Sequence, residues 1–338
     1  MATAQHFSNS LVEQRKLLAG KAAVELDSGV IRIGGEDRLE WLHSMLTADF
    51  KNLKPGQSRE ALLLNVQGHV EQVFHAFDDG EKTTLIVDAD RVAQLMTWFD
   101  RMMFRAKVSL ADVSADWAVF ASVAEIEGLE AVWVDPWPNI VPGGARYSKA
   151  VGAEWNYREY VVDADFDFAP DLTLAGTDAQ LALRILAHRP AASDADAVAM
   201  PHEMDWLSTA VHMSKGCYRG QETVAKVHNL GHPPRRLTFL HLDGSGHFLP
   251  SAGDEVFVVS ENGVVEDRPR GHVTIAAQHF ESGPIALALL SRSVPEDAAL
   301  IVRGESGEID ASQEVIVPAS AGKAADLPKR NLLMGGKH

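Results

Sequence analysis

The sequence predicts an α+β protein, and three observations carry that reading. Strand-like and helix-like segments alternate through the first two thirds of the chain without the regular rhythm of βαβ units. Residues 59–87 read as a three-stranded antiparallel meander, with turns at Val66-Gln67-Gly68-His69 and Asp78-Asp79-Gly80. After Pro233-Pro234 helical periodicity stops, and six short strands separated by Gly, Pro, Asp and Ser turns follow, the pattern of a small β-barrel.

Taken in order, residues 29–33 form the first expected strand. Asp37 and Glu40 then have capping-box spacing ahead of Leu39, Leu42, Met45 and Leu46, which share one helical face. The meander strands are 59–65, 70–77 and 83–87. Asp88 is placed to cap the next helix, where Val92, Leu95, Met96, Phe99 and Met103 follow the spacing of a buried stripe. A second block holds strands at 106–110, 117–122, 131–134 and 159–162 and a short helix from Asp178. The barrel strands are expected at 237–242, 255–260, 271–277, 284–290, 299–302 and 313–317.

A length of 338 residues, with 46% hydrophobic and 23% charged, suits two or three packed units, each able to bury its own core. The single cysteine, Cys217, has no partner in the chain, which excludes a disulfide framework and a self-contained iron–sulfur protein and fits a reducing compartment. No basic and apolar leader opens the sequence, and no stretch reaches the roughly 18 apolar residues of a membrane span, so a cytoplasmic protein without membrane contact is expected. The net charge of −16 repels a phosphate backbone and argues against general nucleic-acid binding. Between Ser214 and Arg236, however, Lys215, Arg219, Lys226, Arg235 and Arg236 face only Glu222, so a local anion site is expected there.

Standard catalytic motifs are missing: there is no Walker A sequence, G-x-G-x-x-G, H-E-x-x-H or G-x-S-x-G. His228 and His232 have the spacing of a zinc half-site but no C-x2-C completes it, so no metal is assigned. The informative run is Lys215-Gly216-Cys217-Tyr218-Arg219-Gly220-Gln221-Glu222. Its glycines permit turns around the cysteine, and a helix can begin just beyond it, which would set the sulfur near a helix N-terminus with Lys215 and Arg219 favouring the thiolate. The plainer alternative is a small buried hydrophobe.

This run resembles the signature of the YgfZ family, tetrahydrofolate-binding relatives of glycine-cleavage T-protein that assist iron–sulfur cluster assembly or repair. Seven of its eight positions are the signature's own, and Arg219 stands at the variable one. Residues 35–49 are similar to the family's first helix and 104–108 to its domain junction. Leu183-Arg184-Ile185, Arg189-Pro190 and Pro201-His202-Glu203 resemble the run leading to the signature, and 271–274 and 285–288 its barrel strands.

The resemblance implies a T-protein-like ring of three subdomains: two mixed α+β subdomains within a folate-binding domain at 15–234, divided near 105–115, then an antiparallel barrel at 235–318 and a flexible tail at 319–338. It implies tetrahydrofolate or a derivative as cofactor, and iron–sulfur client enzymes and assembly machinery as partners. Cys217, with Lys215 and Arg219, is the expected reactive group; Asn65, Asp88, Glu203, Tyr218, Gln221, Glu222 and Arg235 are the expected folate contacts.

Departures from the transferases matter too. Where they carry paired aspartates, this chain has Gly68-His69-Val70-Glu71-Gln72-Val73; Gln72 and Val73 cannot replace the carboxylate, and strict alternation turns Glu71 to the opposite face. Leu186 stands where they use a glutamate to grip the pterin, and Asp88 where they have an asparagine. The expected function is a folate-dependent accessory factor. The alternatives are an aminomethyltransferase-type one-carbon enzyme and a non-catalytic binding protein for another ligand.

Overall fold

The computed structural model describes residues 3–148, 152–168 and 172–324. Helix α1 (Ser10–Leu18) is N-capped by Asn9, whose Oδ1 accepts the Leu11 N–H at 2.9 Å. Strands β1 (Ala22–Leu26) and β2 (Ser28–Gly34) follow with only Asp27 between them, yet they enter different sheets. From β2 the chain builds its first unit: α2 (Arg38–Met45), β3 (Ser58–Leu64), β4 (Val70–Asp78), β5 (Lys82–Asp88), α3 (Val92–Met102) and β6 (Ser109–Asp112). The sheet order is β3-β4-β5-β2-β6, antiparallel throughout. Ile31, Ile33, Phe74 and Leu85 on one face of it pack against Leu42, Leu46 and Phe99. The meander is as expected, but the strand assigned to the start of the second block lies instead on this sheet's edge, where β6 pairs with β2.

Neither expected helix cap makes its capping bond. Asp37 makes no capping bond and accepts the backbone N–H of Lys107 at 2.7 Å. The Asp88 side chain makes no capping bond.

The second unit comprises β7 (Trp117–Ser122), β8 (Val132–Val134), β9 (Arg158–Asp163), β10 (Thr173–Ala175) and α4 (Thr177–Leu186), in a sheet ordered β10-β1-β7-β9-β8 in which β1 and β10 are parallel. A long connection with little regular structure then reaches α5 (Gln221–Leu230). It carries Met204, Trp206, Leu207 and Val211, all fully buried against Leu237, Phe239 and Leu289 of the third unit.

That third unit is a closed barrel of β11 (Arg235–Leu242), β12 (Glu255–Val259), β13 (Gly271–His279), β14 (Gly283–Ser291), β15 (Ala299–Gly304) and β16 (Gly307–Val315). Its interior holds Leu240, Val256, Val273, Ala288, Leu290 and Val302. The last strand begins earlier than expected because β15 and β16 form a tight hairpin with Gly304 opposite Gly307. The segment expected to be a loose tail starts out packed: Ala321 is buried, and the Lys323 and Ala324 N–H groups donate to the Gly231 and His228 carbonyls, each at 2.9 Å. The rest of that segment, 325–338, lies outside the described residues. None of the described helices is long and apolar enough to cross a membrane.

The β4–β5 turn is held by Asp78, which is 1% exposed and accepts from Arg38 Nε and Nη2 at 3.0 and 2.9 Å and from the Gly80 N–H at 2.8 Å. Burial alone would raise its carboxyl, but the bonds from Arg38, Thr83 and Gly80 hold it below the usual carboxylate range. Asp78→Ala strands the Arg38 charge, and chemical denaturation should show a loss of about 3–5 kcal/mol. Because the native carboxyl is depressed, its contribution is complete above about pH 4 and lost as pH falls, so Asp78→Asn should flatten the acid limb of the stability curve.

Candidate functional site

Strand β4 forms one wall of a two-part groove where the units meet. Its inner cavity, about 240 Å³, is lined by Glu60 of β3, His75 of β4, Asp88 of β5, Asp135, Tyr157 and Glu159 of the second unit, and Gln180 and Arg184 of α4. Arg189 and Pro190, just beyond α4, close it. The adjoining outer cavity, about 990 Å³, is lined by Asn65, Glu71, Gln72, Asp90, Arg91, Trp98 and Arg219. Val73, Asp88, Ala191 and Ala192 belong to both walls.

The inner floor is a buried ion-pair network. Arg189, 4% exposed, donates from Nη2 to Glu60 Oε1 at 2.8 Å and from Nε to Asp135 Oδ2 at 2.9 Å. Burial would lower its pKa, but the two carboxylates more than reverse that. Arg189 Nη1 and Glu60 Oε2 are buried without a hydrogen-bond partner among the described residues. On the facing wall, His75 Nδ1 lies 2.8 Å from Glu159 Oε2, and the Tyr157 hydroxyl donates to Glu159 Oε1 at 3.1 Å. The His75 ring stacks on Trp133, 3.7 Å between centroids and 6° from parallel. Burial alone would lower the imidazole pKa, yet Glu159 turns the net shift upward. Asp88 sits on the concave wall with its carboxyl raised, first by desolvation and then by Asp90.

The register of β4 breaks beside its start: Leu63 pairs with Gln72 but Leu64 with Val70, so Glu71 is bulged out of the ladder. Strict alternation, which would send Glu71 away from Gln72, therefore fails; both line the outer cavity. Glu71 Oε2 accepts from Arg219 Nη1 at 3.0 Å. Gln72 Nε2 donates to the Val73 carbonyl at 2.9 Å.

The cysteine loop meets this groove through two glycines. Gly220, at φ 82° just before α5, packs against the β3–β4 turn so tightly that a Cβ would lie 2.6 Å from the Asn65 carbonyl oxygen and 3.0 Å from the Gly68 Cα. Gly68, at φ 81°, in turn lies against Thr223. Both need positive φ and no side chain. Cys217 itself is exposed, so the reading of it as a buried hydrophobe does not hold. Its expected cationic neighbours point elsewhere. Lys215 is buried, and its Nζ donates to the carbonyls of His43, Leu46 and Ala48 at the C-terminal end of α2, where carbonyl dipoles converge. Desolvation pushes its pKa down to about 8. Arg219 is turned to Glu71.

Of the expected folate contacts, Asn65 and Asp88 line the groove, as does Arg219. Asn65 Oδ1 also accepts the Gln67 and His69 N–H groups, both at 2.9 Å, shaping the turn. The others lie elsewhere. Glu203, fully buried, accepts from Arg235 Nη2 and Nε at 2.8 and 2.9 Å, tying the connection to the barrel. Tyr218 is buried in the core. Gln221 donates to the Lys215 carbonyl at 3.2 Å, and Glu222 is exposed on the first turn of α5. Leu186 packs against the core, and α4 presents Gln180 and Arg184 to the cavity instead. Sequence reasoning missed Glu60, His75, Asp135, Glu159 and Arg189. Glu60 and His75, charged or polar within apolar strands, were the available signal. Among the described residues no group of three or more His, Cys, Asp or Glu is arranged to hold a metal ion.

No family model matches the chain. Among curated proteins it is similar to the tRNA-modifying protein YgfZ of Edwardsiella ictaluri, 26% identical over 82% of this chain and 86% of the relative. It is also similar to the tRNA-modifying protein YgfZ of Vibrio vulnificus, 21% identical over 91% of this chain and 96% of that one. Its fold is that of the crystal structure of glycine cleavage system aminomethyltransferase T from Bartonella henselae, with a TM-score of 0.65 over 92% of this chain and 93% of that one at 15% identity.

An exposed Cys217 should react with a thiol reagent in the folded protein, without waiting for unfolding, and Cys217→Ser should leave stability within about 0.5 kcal/mol. Reaction only after denaturation would contradict the exposed loop.

Proposed function

The chain belongs to the YgfZ family, and from that premise we propose that it binds a reduced folate in the groove and serves as an accessory factor for assembly or repair of iron–sulfur clusters in client enzymes. The observation that carries the ligand reading is the groove itself: a small polar inner cavity opening into a wide, arginine-bearing one. The outer part lies at the upper end of the about 300–1,000 Å³ typical of small-molecule sites. The inner floor suits a ring with polar edges, because Glu60 Oε2 and Arg189 Nη1 have no partner among the described residues and buried polar atoms are rarely left so. Trp98 offers the outer cavity an aromatic wall, and Arg91 and Arg219 offer cations to a carboxylate tail.

A bound folate would supply a carrier for one-carbon units. The residues here bind and orient it rather than drive aminomethyl transfer, since Gln72 has no carboxylate and its amide is engaged with the backbone. The iron–sulfur role rests on the family resemblance and on an exposed thiol two residues from Arg219 of the groove wall, which can offer one ligand to a cluster in transit but cannot retain it alone. The relatives are named for tRNA modification. With a net charge of −16 this chain is not suited to gripping tRNA directly, so any such effect is assigned to client enzymes.

Calorimetry should detect binding of reduced folates that strengthens with glutamate tail length and weakens with salt, as expected for charges screened over about 10 Å at 0.1 M. Arg91→Ala and Arg219→Ala should each weaken a polyglutamylated folate by up to about fivefold while sparing a tail-free pterin. Absence of heat with every reduced folate would overturn the reading. The protein should also fail to turn over aminomethyl groups with glycine-cleavage partners, since a positioned acid–base group contributes about 10² to 10⁴ in rate. Cells carrying Cys217→Ser should keep the protein yet lose iron–sulfur enzyme activity under oxidative stress.

A further inference from the structure

Beyond the residues that signature and fold family point to, the inner cavity contains a constellation with no assigned role. We propose that His75 is the proton-bearing contact of this cavity: Glu159 holds its Nδ1, leaving Nε2 to donate a hydrogen bond to an acceptor atom on the bound ring, so that ligand affinity is governed by the protonation of this imidazole. The proposal rests on the groove being a ligand site and specifies how that site is regulated.

Geometry fixes the ring. Its Nδ1 lies 2.8 Å from Glu159 Oε2, and the other oxygen of that carboxylate is occupied by the Tyr157 hydroxyl. Tyr157 is buried, and burial with the adjacent Glu159 raises its pKa well above 10, so it stays a donor and keeps the carboxylate oriented. Trp133 covers one face of the imidazole, and its own Nε1 is anchored to the Arg59 carbonyl at 2.9 Å, so the stack cannot easily slide. An aromatic face at that distance also favours the charged ring. Nε2 has no hydrogen-bond partner among the described residues, on a side chain that lines the cavity and is 23% exposed. One nitrogen is thus committed, and the other faces the ligand space.

The surrounding charges support the protonated form. Glu159 from β9 and Glu60, directly opposite His75 on β3, are acidic, as is Asp88 from β5; Arg189, from the turn after α4, opposes them. Tyr157 completes the groups nearest the ring, and Asp135 and Arg184, also on the cavity wall, are engaged with Arg189 and with Asp194. Glu60 and Arg189 neutralise each other, so Glu159 is left to decide the balance. The placement on β4 has its own logic. Val73 and His75 project to the same side of the strand, so the strand that lacks a carboxylate at Gln72 and Val73 offers an ionisable group two residues further on.

Two measurements on the full chain decide the proposal. In the ligand-free protein, NMR titration of labelled histidine should show His75 taking up its proton above the ordinary value of about 6.5, and Glu159→Gln should bring it down. Calorimetry with 5-formyltetrahydrofolate should show affinity that is greatest below the folded pKa of His75. It should fall about tenfold per pH unit above that pKa, with net proton uptake on binding. His75→Gln, nearly equal in volume, should bind more weakly at low pH and lose this dependence, while any residual effect on the acid side belongs to Asp88. A His75 that titrates at or below 6.5, or a pH profile unchanged in His75→Gln, overturns the proposal. A protein that binds no folate at any pH overturns the functional reading of the groove; the ligand-free titration then still decides whether His75 carries the proton.

Discussion

Arg189 is a full charge placed where almost no water reaches it, and such a charge costs several kcal/mol unless protein groups replace its hydration. Those groups come from separate parts of the fold. Glu60 belongs to the first sheet, Asp135 to the second unit, and Trp137, whose ring lies 5.1 Å beneath the guanidinium, to the segment after Asp135. The preceding residue, His188, has its ring 4.8 Å from Phe239 of the barrel. Arg184 of α4 binds the Arg189 carbonyl at 2.8 Å and Asp194 at 2.6 Å, closing the turn. All three units are therefore held to one short run of chain. Apolar contact alone tolerates sliding, whereas this charge is satisfied in one relative placement of the sheets.

The same constraint shapes the groove. Asp135 must serve Arg189 and the Trp155 indole N–H, 2.7 Å away, so it has little to spare for a ligand. Glu60 gives one oxygen to Arg189, and among the described residues its other oxygen and one Arg189 amino group have no partner. A network built to join units thus ends with an acceptor and a donor unsatisfied beside the cavity. The ion pairs that position the walls also give the floor its polarity.

Much of the architecture is legible in the sequence, because barrel strands and the meander are marked by two-residue alternation and by turn residues. What is missing depends on partners distant in the chain. Strand β1 is five residues long, separated from β2 by Asp27 alone, and recognisable only through its pairing with β10 on one side and β7 on the other. Asp37 has the spacing of a cap, but the Lys107 N–H offers it a better bond. Lys215 lies two residues from Cys217 in sequence, yet three carbonyls at and just past the C-terminal end of α2 attract its ammonium into the core. The Glu71 bulge defeats strict alternation. His75 acquires meaning only when β9 brings Glu159 beside it.

The signature run also has a different structural meaning from the one its chemistry suggests. Its lysine, tyrosine and second glycine are fixed by packing: Lys215 under the end of α2, Tyr218 in the core with its ring 5.2 Å from the Lys215 Nζ, and Gly220 against the β3–β4 turn. With those anchors in place, Cys217 and Arg219 are held outward, the first to solvent and the second to the groove rim beside Glu71. Gly220 touches the Asn65 carbonyl, and Asn65 lines the outer cavity, so the α5 N-terminus and the ligand wall share one contact surface. A shift of that turn cannot leave the cysteine loop unmoved, because no side chain lies between the two backbones to absorb it. The close glycine packing, more than the charge of Lys215 or Arg219, is therefore what connects the exposed thiol to the groove.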